Sequence, residues 1–278
     1  MNVNKQKSEA YKKLVELMKE TYPKFDYSFD PADTNIPPQF WAPYVKINDK
    51  MTCICNEINL YTYWQGLGYA DKTPKIKYLL VGQDFGNIFR GDNTRIREIN
   101  SGNKSLPYFD KTDDPTDINL MELFKILGYN DVMKRHDELF FTNFCLAYRT
   151  GSQSGGITKK VMNASADLFK KLCLILEPKN ILCLGKMTFE CVYQTLKAKK
   201  DKGFKKLFDE DQYNEFIVNH GNGDIKVQIN GKPTTIYPLA HCGAYGTMNR
   251  NRITDPRSKN DPLINQREDW EKIAANNN

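Results

Sequence analysis

The chain has 278 residues, 40% of them hydrophobic, and a formal net charge of +6. That length holds one large α/β domain or two small ones, and the mild basic balance suits a polyanionic partner without requiring one. No run of 18 apolar residues exists, which excludes a membrane-spanning helix, and residues 1–20 are too charged for a signal peptide.

Ser8 to Tyr22 places Tyr11, Leu14, Val15 and Met18 at the period of an amphipathic helix, and Pro23 ends it. Residues 23–50 carry Pro23, Pro31, Pro37, Pro38 and Pro43 among aromatics, which predicts an extended segment wrapping the domain. Cys53 to Leu67 reads as a helix closed by Gly68, and Lys75 to Val81 as the first strand of a sheet. Residues 87–116 form a long polar connection around the apolar island Leu106 to Asp110, a length that usually signals function. Asp117 to Leu127 is a helix with Gly128 at its end, and Leu139 to Thr142 is the second strand. Thr158 to Leu176 reads as one long amphipathic helix, Ile181 to Leu184 as the third strand, and Lys186 to Ala198 as another helix. Phe216 to Val218 suits a short strand. Ile225 to Ile229 and Thr234 to Leu239 flank Asn230-Gly231, a hairpin signal, so the fourth strand gains an antiparallel companion. Pro262 to Ala275 is the last helix. The alternation implies a three-layer α/β/α fold with a central, mostly parallel four-stranded sheet.

Four of these strands end in polar or glycine-rich turns. Tyr78 to Val81 runs into Gly82-Gln83-Asp84-Phe85-Gly86, and Leu139 to Thr142 runs into Asn143, with Arg149 six residues on. Asn180 to Leu184 ends at Gly185, and Thr234 to Ala240 ends at His241-Cys242-Gly243. In open parallel sheets the C-terminal strand ends face one crevice, so an Asp, an Asn and a His just past three strands converge.

In order and spacing these motifs resemble the uracil-DNA glycosylase superfamily over roughly residues 50–255. The resemblance divides the chain into an N-terminal helix and proline-rich extension packed on the domain (1–50) and a glycosylase-like α/β/α domain (51–278). The residue after the motif's Asp is usually Pro and here is Phe85. The position that is Tyr in the classical uracil-specific branch is Gly86, as in the mismatch-specific and single-strand-selective branches. The classical His-Pro-Ser-Pro loop is replaced by His241-Cys242-Gly243-Ala244.

Cleaving an N-glycosidic bond builds positive charge on the sugar and negative charge on the departing base. The site needs an anion near the sugar that orients water, and donors aimed at the base oxygens. Asp84 suits the first role, His241 the second, and the Asn143 amide offers a donor and an acceptor to a pyrimidine edge. The resemblance assigns these same roles and adds the Gln83 backbone against the base. It also implies a stacking aromatic, Tyr108 or Phe109, with Phe85 and Gly86 beside C5 of the pyrimidine. It places residues 241–252 as a loop reaching the minor groove, with Tyr245 or Met248 wedging between bases. Arg149, Arg250 and Arg252 are then DNA-backbone contacts.

Each residue also has a structural reading: Asn143 as a turn cap, His241 as a hydrogen-bonded structural histidine, Arg149 as a surface ion pair. Seven cysteines without a Cys-x-x-Cys pair read as reduced, buried thiols of a disulfide-free cytoplasmic protein, with no four-cysteine pattern for an iron–sulfur cluster. The expectation is a monomeric, metal-independent, cofactor-free DNA glycosylase acting on single- or double-stranded DNA, with no membrane. Its substrate is uracil or a mismatched or C5-modified pyrimidine, in repair or in defence against modified foreign DNA. Two rivals stand beside it: a catalytically silent DNA-binding protein of the same fold, and a nucleotide-binding α/β protein.

Overall fold

The computed structural model describes residues 9, 13, 16, 45–47, 51–53, 76–84, 115–130, 138–145, 147–149, 159–197, 210–252 and 256–277. Glu9, Lys13 and Glu16 are helical and exposed, the polar positions between the apolar ones of the expected first helix.

Two sheets are present among these residues. A small antiparallel sheet joins β1 (Val45–Ile47), β2 (Met51–Cys53) and β5 (Ala147–Arg149) in the order β1-β2-β5. Cys53 therefore ends a strand instead of opening a helix. The larger sheet contains β3 (Tyr78–Gly82), β4 (Leu139–Asn143), β6 (Asn180–Leu184), β7 (Lys226–Ile229) and β8 (Lys232–Leu239), ordered β4-β3-β6-β8-β7. It has five strands where four were expected. The three pairings that join β4, β3, β6 and β8 are parallel, and β7 is the antiparallel edge strand. The extra strand follows from the turn: Asn230 and Gly231 both take positive φ, 50° and 75°, the conformation a two-residue hairpin demands. β7 pairs with β8 only from Lys232 to Thr235, so Pro238 sits beyond the hairpin, where its missing N–H interrupts no ladder on that side.

Side chains on one face of the sheet and two helices make one core. Tyr78, Leu80, Leu139, Phe141, Leu182, Leu184, Tyr237 and Leu239 alternate onto this face, as a period of two requires. Against them pack Leu120, Leu123 and Phe124 of α1 (Pro115–Ile126) and Trp270 and Ile273 of α7 (Ile264–Asn277). Phe124 is the hub, edge-on to Phe141 at 5.1 Å and to Trp270 at 5.0 Å between ring centroids.

The expected long helix over 158–176 is broken at Ser165 into α2 (Lys159–Ala164) and α3 (Ala166–Leu176). α4 (Lys186–Leu196) packs on β6 and β8, and α5 (Glu210–His220) packs on β8. Phe216 to Val218 lies inside α5, so it is helical; three apolar residues are too few to show a period. The five described cysteines, Cys145, Cys173, Cys183, Cys191 and Cys242, are free and buried.

β3 is the first strand of the large sheet and sits inside it, with β4 on one side and β6 on the other. The chain moves outward to β4, then crosses back past β3 to β6. That reversal opens a crevice at the C-terminal ends of β3 and β6, where open α/β sheets bind ligands.

Candidate functional site

Gly82 and Asn143 are register partners at the C-terminal ends of β3 and β4. The ladder continues past both strands: Phe144 N donates to Gly82 O at 2.8 Å, and Cys145 N donates to Gln83 O at 3.0 Å. This continuation fixes the backbone of Gln83 and Asp84 at the crevice. A Cβ on Gly82 would lie 2.2 Å from Asn143 Oδ1, so the amide of Asn143 lies across the glycine. Gln83, Asp84 and Asn143 are all half-buried, and Asp84 Oδ2 is closed off from solvent.

On the far side of the crevice, Gly185 N donates to Leu239 O at 2.8 Å, which ties the end of β6 to the end of β8. A Cβ on Gly185 would meet His241 Cβ at 3.9 Å. His241 follows β8 directly and is exposed, whereas Cys242 is fully buried in the core beneath it. Burial pushes the Cys242 thiol far above its ordinary range, so it is an anchor and no nucleophile.

The turn after His241 folds back on its ring. Gly243 N donates to His241 Nδ1 at 3.0 Å. A backbone N–H can only donate, so Nδ1 is the acceptor and the proton of the neutral imidazole belongs on Nε2. Glycine is needed at Gly246, where a Cβ would sit 2.1 Å from the His241 carbonyl oxygen; at Gly243 a Cβ would be a tight fit, 3.0 Å from Thr116 Oγ1 and 3.1 Å from Nδ1.

Residues outside the expected set hold this turn. Asn119 on α1 donates to Cys242 O at 2.7 Å, and Gln266 on α7 donates to His241 O at 3.1 Å. Thr247 bridges them, with Oγ1 3.3 Å from Gln266 Oε1 and N donating to Gly243 O at 2.9 Å. Asn119 and Gln266 lie on helices far away in sequence, and nothing in their local pattern marks them. Gly243 and Gly246 were legible only as small residues in a loop.

Residues 244–250 form a short helix, α6 (Ala244–Arg250), where an irregular loop was expected. The Thr247 N–H and hydroxyl bonds to the turn, and the Thr247 and Arg250 side-chain bonds to α7, supply the order that its two-glycine neighbourhood lacks. Tyr245 and Met248 stand three apart on it, 74% and 54% exposed. Arg250 is not on the surface. It is 5% exposed and pairs with Asp269 of α7 through Nε–Oδ2 at 2.8 Å and Nη2–Oδ1 at 2.9 Å. A guanidinium with both faces of its fork on a buried carboxylate is unavailable to phosphate, so the expectation for Arg250 fails. Arg252 is exposed just past the helix. Arg149 is the last residue of β5, where its backbone pairs with Met51.

The sheet therefore brings Gln83, Asp84, Asn143 and His241 to the C-terminal ends of three strands, with Tyr245 and Met248 on the helix that follows His241. Phe85, Gly86, Tyr108 and Phe109 lie outside the described residues, as does most of the extension over 1–50. Among the described residues no group of three or more His, Cys, Asp or Glu is placed to hold a metal ion, and no helix is long and apolar enough to cross a membrane. No protein-family model matches the chain, and no curated protein is similar enough to align with it.

Proposed function

We propose that the chain is a monofunctional DNA glycosylase of the uracil-DNA glycosylase type, a three-layer α/β/α protein. It hydrolyses the N-glycosidic bond of a flipped uracil or of a mismatched or C5-modified pyrimidine. The observation that carries the reading is the Gly243 N–H on His241 Nδ1. It leaves the imidazole as a neutral Nε2–H donor at the same C-terminal end of the sheet as a half-buried carboxylate and an amide.

In this reading the leaving base takes up negative charge as its bond to the sugar lengthens. The Nε2–H of His241 donates to a base oxygen and stabilises that charge. A neutral donor already oriented by the protein needs no reorganisation at the moment of reaction. Asp84 stays ionised, faces the sugar as it becomes cationic and holds the water that adds to C1′. The Asn143 amide pairs with the base edge, and the Gln83 backbone lies against the base. No lysine sits in a motif position that would serve as an amine nucleophile, so hydrolysis and not amine-mediated lyase chemistry is the expected course. The protein acts as a cytoplasmic monomer on DNA, without cofactor.

The test is a screen of purified protein against oligonucleotides carrying uracil, mismatched thymine and a set of C5-substituted pyrimidines, read as abasic-site formation. At least one should yield abasic sites with wild type and none with Asp84→Asn. If none is cleaved while the protein still binds DNA, the silent-binder reading takes its place. Binding of free mononucleotide without DNA affinity would instead favour the nucleotide-binding rival.

A further inference from the structure

We propose that Asn119 is a positioning residue that sets which nitrogen of His241 carries the proton, acting through the peptide group between Cys242 and Gly243. The tautomer is a property of the free protein; its value to catalysis rests on the glycosylase reading above.

The inference comes from one plane of atoms. A trans peptide points its C=O and its N–H in opposite directions. At the Cys242–Gly243 peptide both ends are engaged: Asn119 Nδ2 donates to the carbonyl oxygen at 2.7 Å, and the amide N–H donates to His241 Nδ1 at 3.0 Å. Fixing the carbonyl therefore aims the N–H. A hydrogen bond accepted by the carbonyl also polarises the amide and makes its N–H a better donor.

Asn119 is placed to do this rigidly. Its neighbours Leu120, Leu123 and Phe124 root α1 in the core, with Leu123 and Phe124 fully buried. The peptides on either side are held by other groups: the His241 carbonyl by Gln266, and the Gly243 carbonyl by Thr247 N. Only the middle plane depends on Asn119. Without it, the Cys242 carbonyl retains Thr247 Oγ1 at 3.5 Å, a contact at the outer limit of a hydrogen bond. The plane then loses its strongest hold, and the N–H its aim at Nδ1.

The test is nitrogen NMR of the full chain, labelled at histidine and glycine nitrogens and free of DNA, at pH 8, where an ordinary imidazole of pKa about 6.5 is neutral. Wild type should show one His241 tautomer, Nε2–H, with a through-hydrogen-bond coupling between the Gly243 nitrogen and Nδ1. Asn119→Asp keeps the side-chain shape and replaces the donor by an acceptor facing a carbonyl. It should lose the coupling and show Nδ1–H alone or in a mixture. Single-turnover cleavage should fall about 10–100-fold, the scale found when a group that orients a metal-binding histidine is removed. DNA affinity should be unchanged. A folded Asn119→Asp that keeps the single Nε2–H tautomer overturns the proposal. If that variant does not fold, Asn119→Ala carries the same readout, and a wild-type protein without the coupling overturns it with no variant at all. A chain that cleaves no DNA removes the glycosylase reading and leaves this result standing.

Discussion

Asn143 lies over Gly82, its amide oxygen 2.2 Å from where a Cβ on the glycine would be. The glycine at the end of β3 and the asparagine at the end of β4 are thus one unit: the absence of a side chain on one strand gives the amide of the next its place. Gly82→Ala should push Asn143 out of the crevice without disturbing Asp84's own strand. The expected result is a stability loss of about 1 kcal/mol or less, because the crowded atom is the end of an amide that can rotate aside. Cleavage per folded molecule should approach that of Asn143→Ala. Differential scanning calorimetry and single-turnover cleavage of the two variants check this, and full wild-type cleavage by Gly82→Ala would mean the Asn143 amide does not need that place.

Asp84 follows the same ladder, held at the crevice by the Gln83 carbonyl on Cys145 N. If, as proposed, this carboxylate faces the sugar cation and orients water, Asp84→Asn should lower single-turnover cleavage by ~10²–10⁴. DNA affinity should stay level or tighten, because one negative charge near phosphates is gone. Near-wild-type cleavage by this variant removes Asp84 from the mechanism.

Arg250 and Asp269 make the opposite kind of site, ionised but closed. Burial pushes the Asp269 carboxyl above its ordinary value, and the Arg250 guanidinium pulls it back down. Arg250→Met leaves that carboxylate buried without its partner, at a cost of about 3–5 kcal/mol. The pH dependence has a definite sign. Removing Arg250 raises the folded-state pKa further above the unfolded value of about 3.9, so the folded variant holds its proton more tightly than the unfolded chain does. Its stability deficit relative to wild type should be smallest in acid and should grow as pH rises through the folded-state pKa. Thermal melts of both proteins across that range measure this. Arg252→Ala, by contrast, should leave the melt unchanged and reduce the salt slope of DNA binding by about one.

The contrast between these two arginines shows what the sequence discloses. Both follow His241 within a dozen residues and carry the same charge; only the packing of α6 on α7 separates them, and that contact is with Asp269, nineteen residues on. Strand ends were legible because short apolar runs stopped abruptly at Gly82, Asn143, Gly185 and His241, and a parallel sheet gathers such ends at one edge. The hairpin was legible because Asn230-Gly231 has a conformational reason to be there. The groups that hold His241 were not, since Asn119 and Gln266 act through single long-range bonds to backbone atoms. Such bonds leave no periodicity behind. α6 was hidden for a related reason: seven residues that include a glycine in the first turn have little helical preference of their own.

Among the described residues Tyr245 and Met248 are the most exposed large hydrophobic side chains, at 74% and 54%, and they share one face of α6. A surface tyrosine and methionine by themselves need no explanation. Here they stand on a helix whose first turn is fastened to the His241 turn: Thr247 N bonds to Gly243 O, and the Thr247 hydroxyl lies against Gln266. A side chain pushed into the duplex from this helix would therefore be held in fixed relation to the His241 imidazole, which under the proposed function meets the flipped base. Filling the gap left by the base offsets part of the unstacking energy, a few kcal/mol in duplex DNA and nearly nothing in a single strand. The double substitution Tyr245→Ala, Met248→Ala should therefore slow cleavage of a duplex substrate by roughly tenfold to a hundredfold, ~1.4–2.8 kcal/mol in the barrier. Cleavage of the same base in single-stranded DNA should fall far less, and a mismatched duplex should lie between the two. The ratio of duplex to single-strand rates, wild type against double variant, is the quantity to measure. Equal losses on both substrates would show that the pair packs against DNA without holding it open, and a duplex rate unaffected by the substitution would leave α6 as a support for His241 alone.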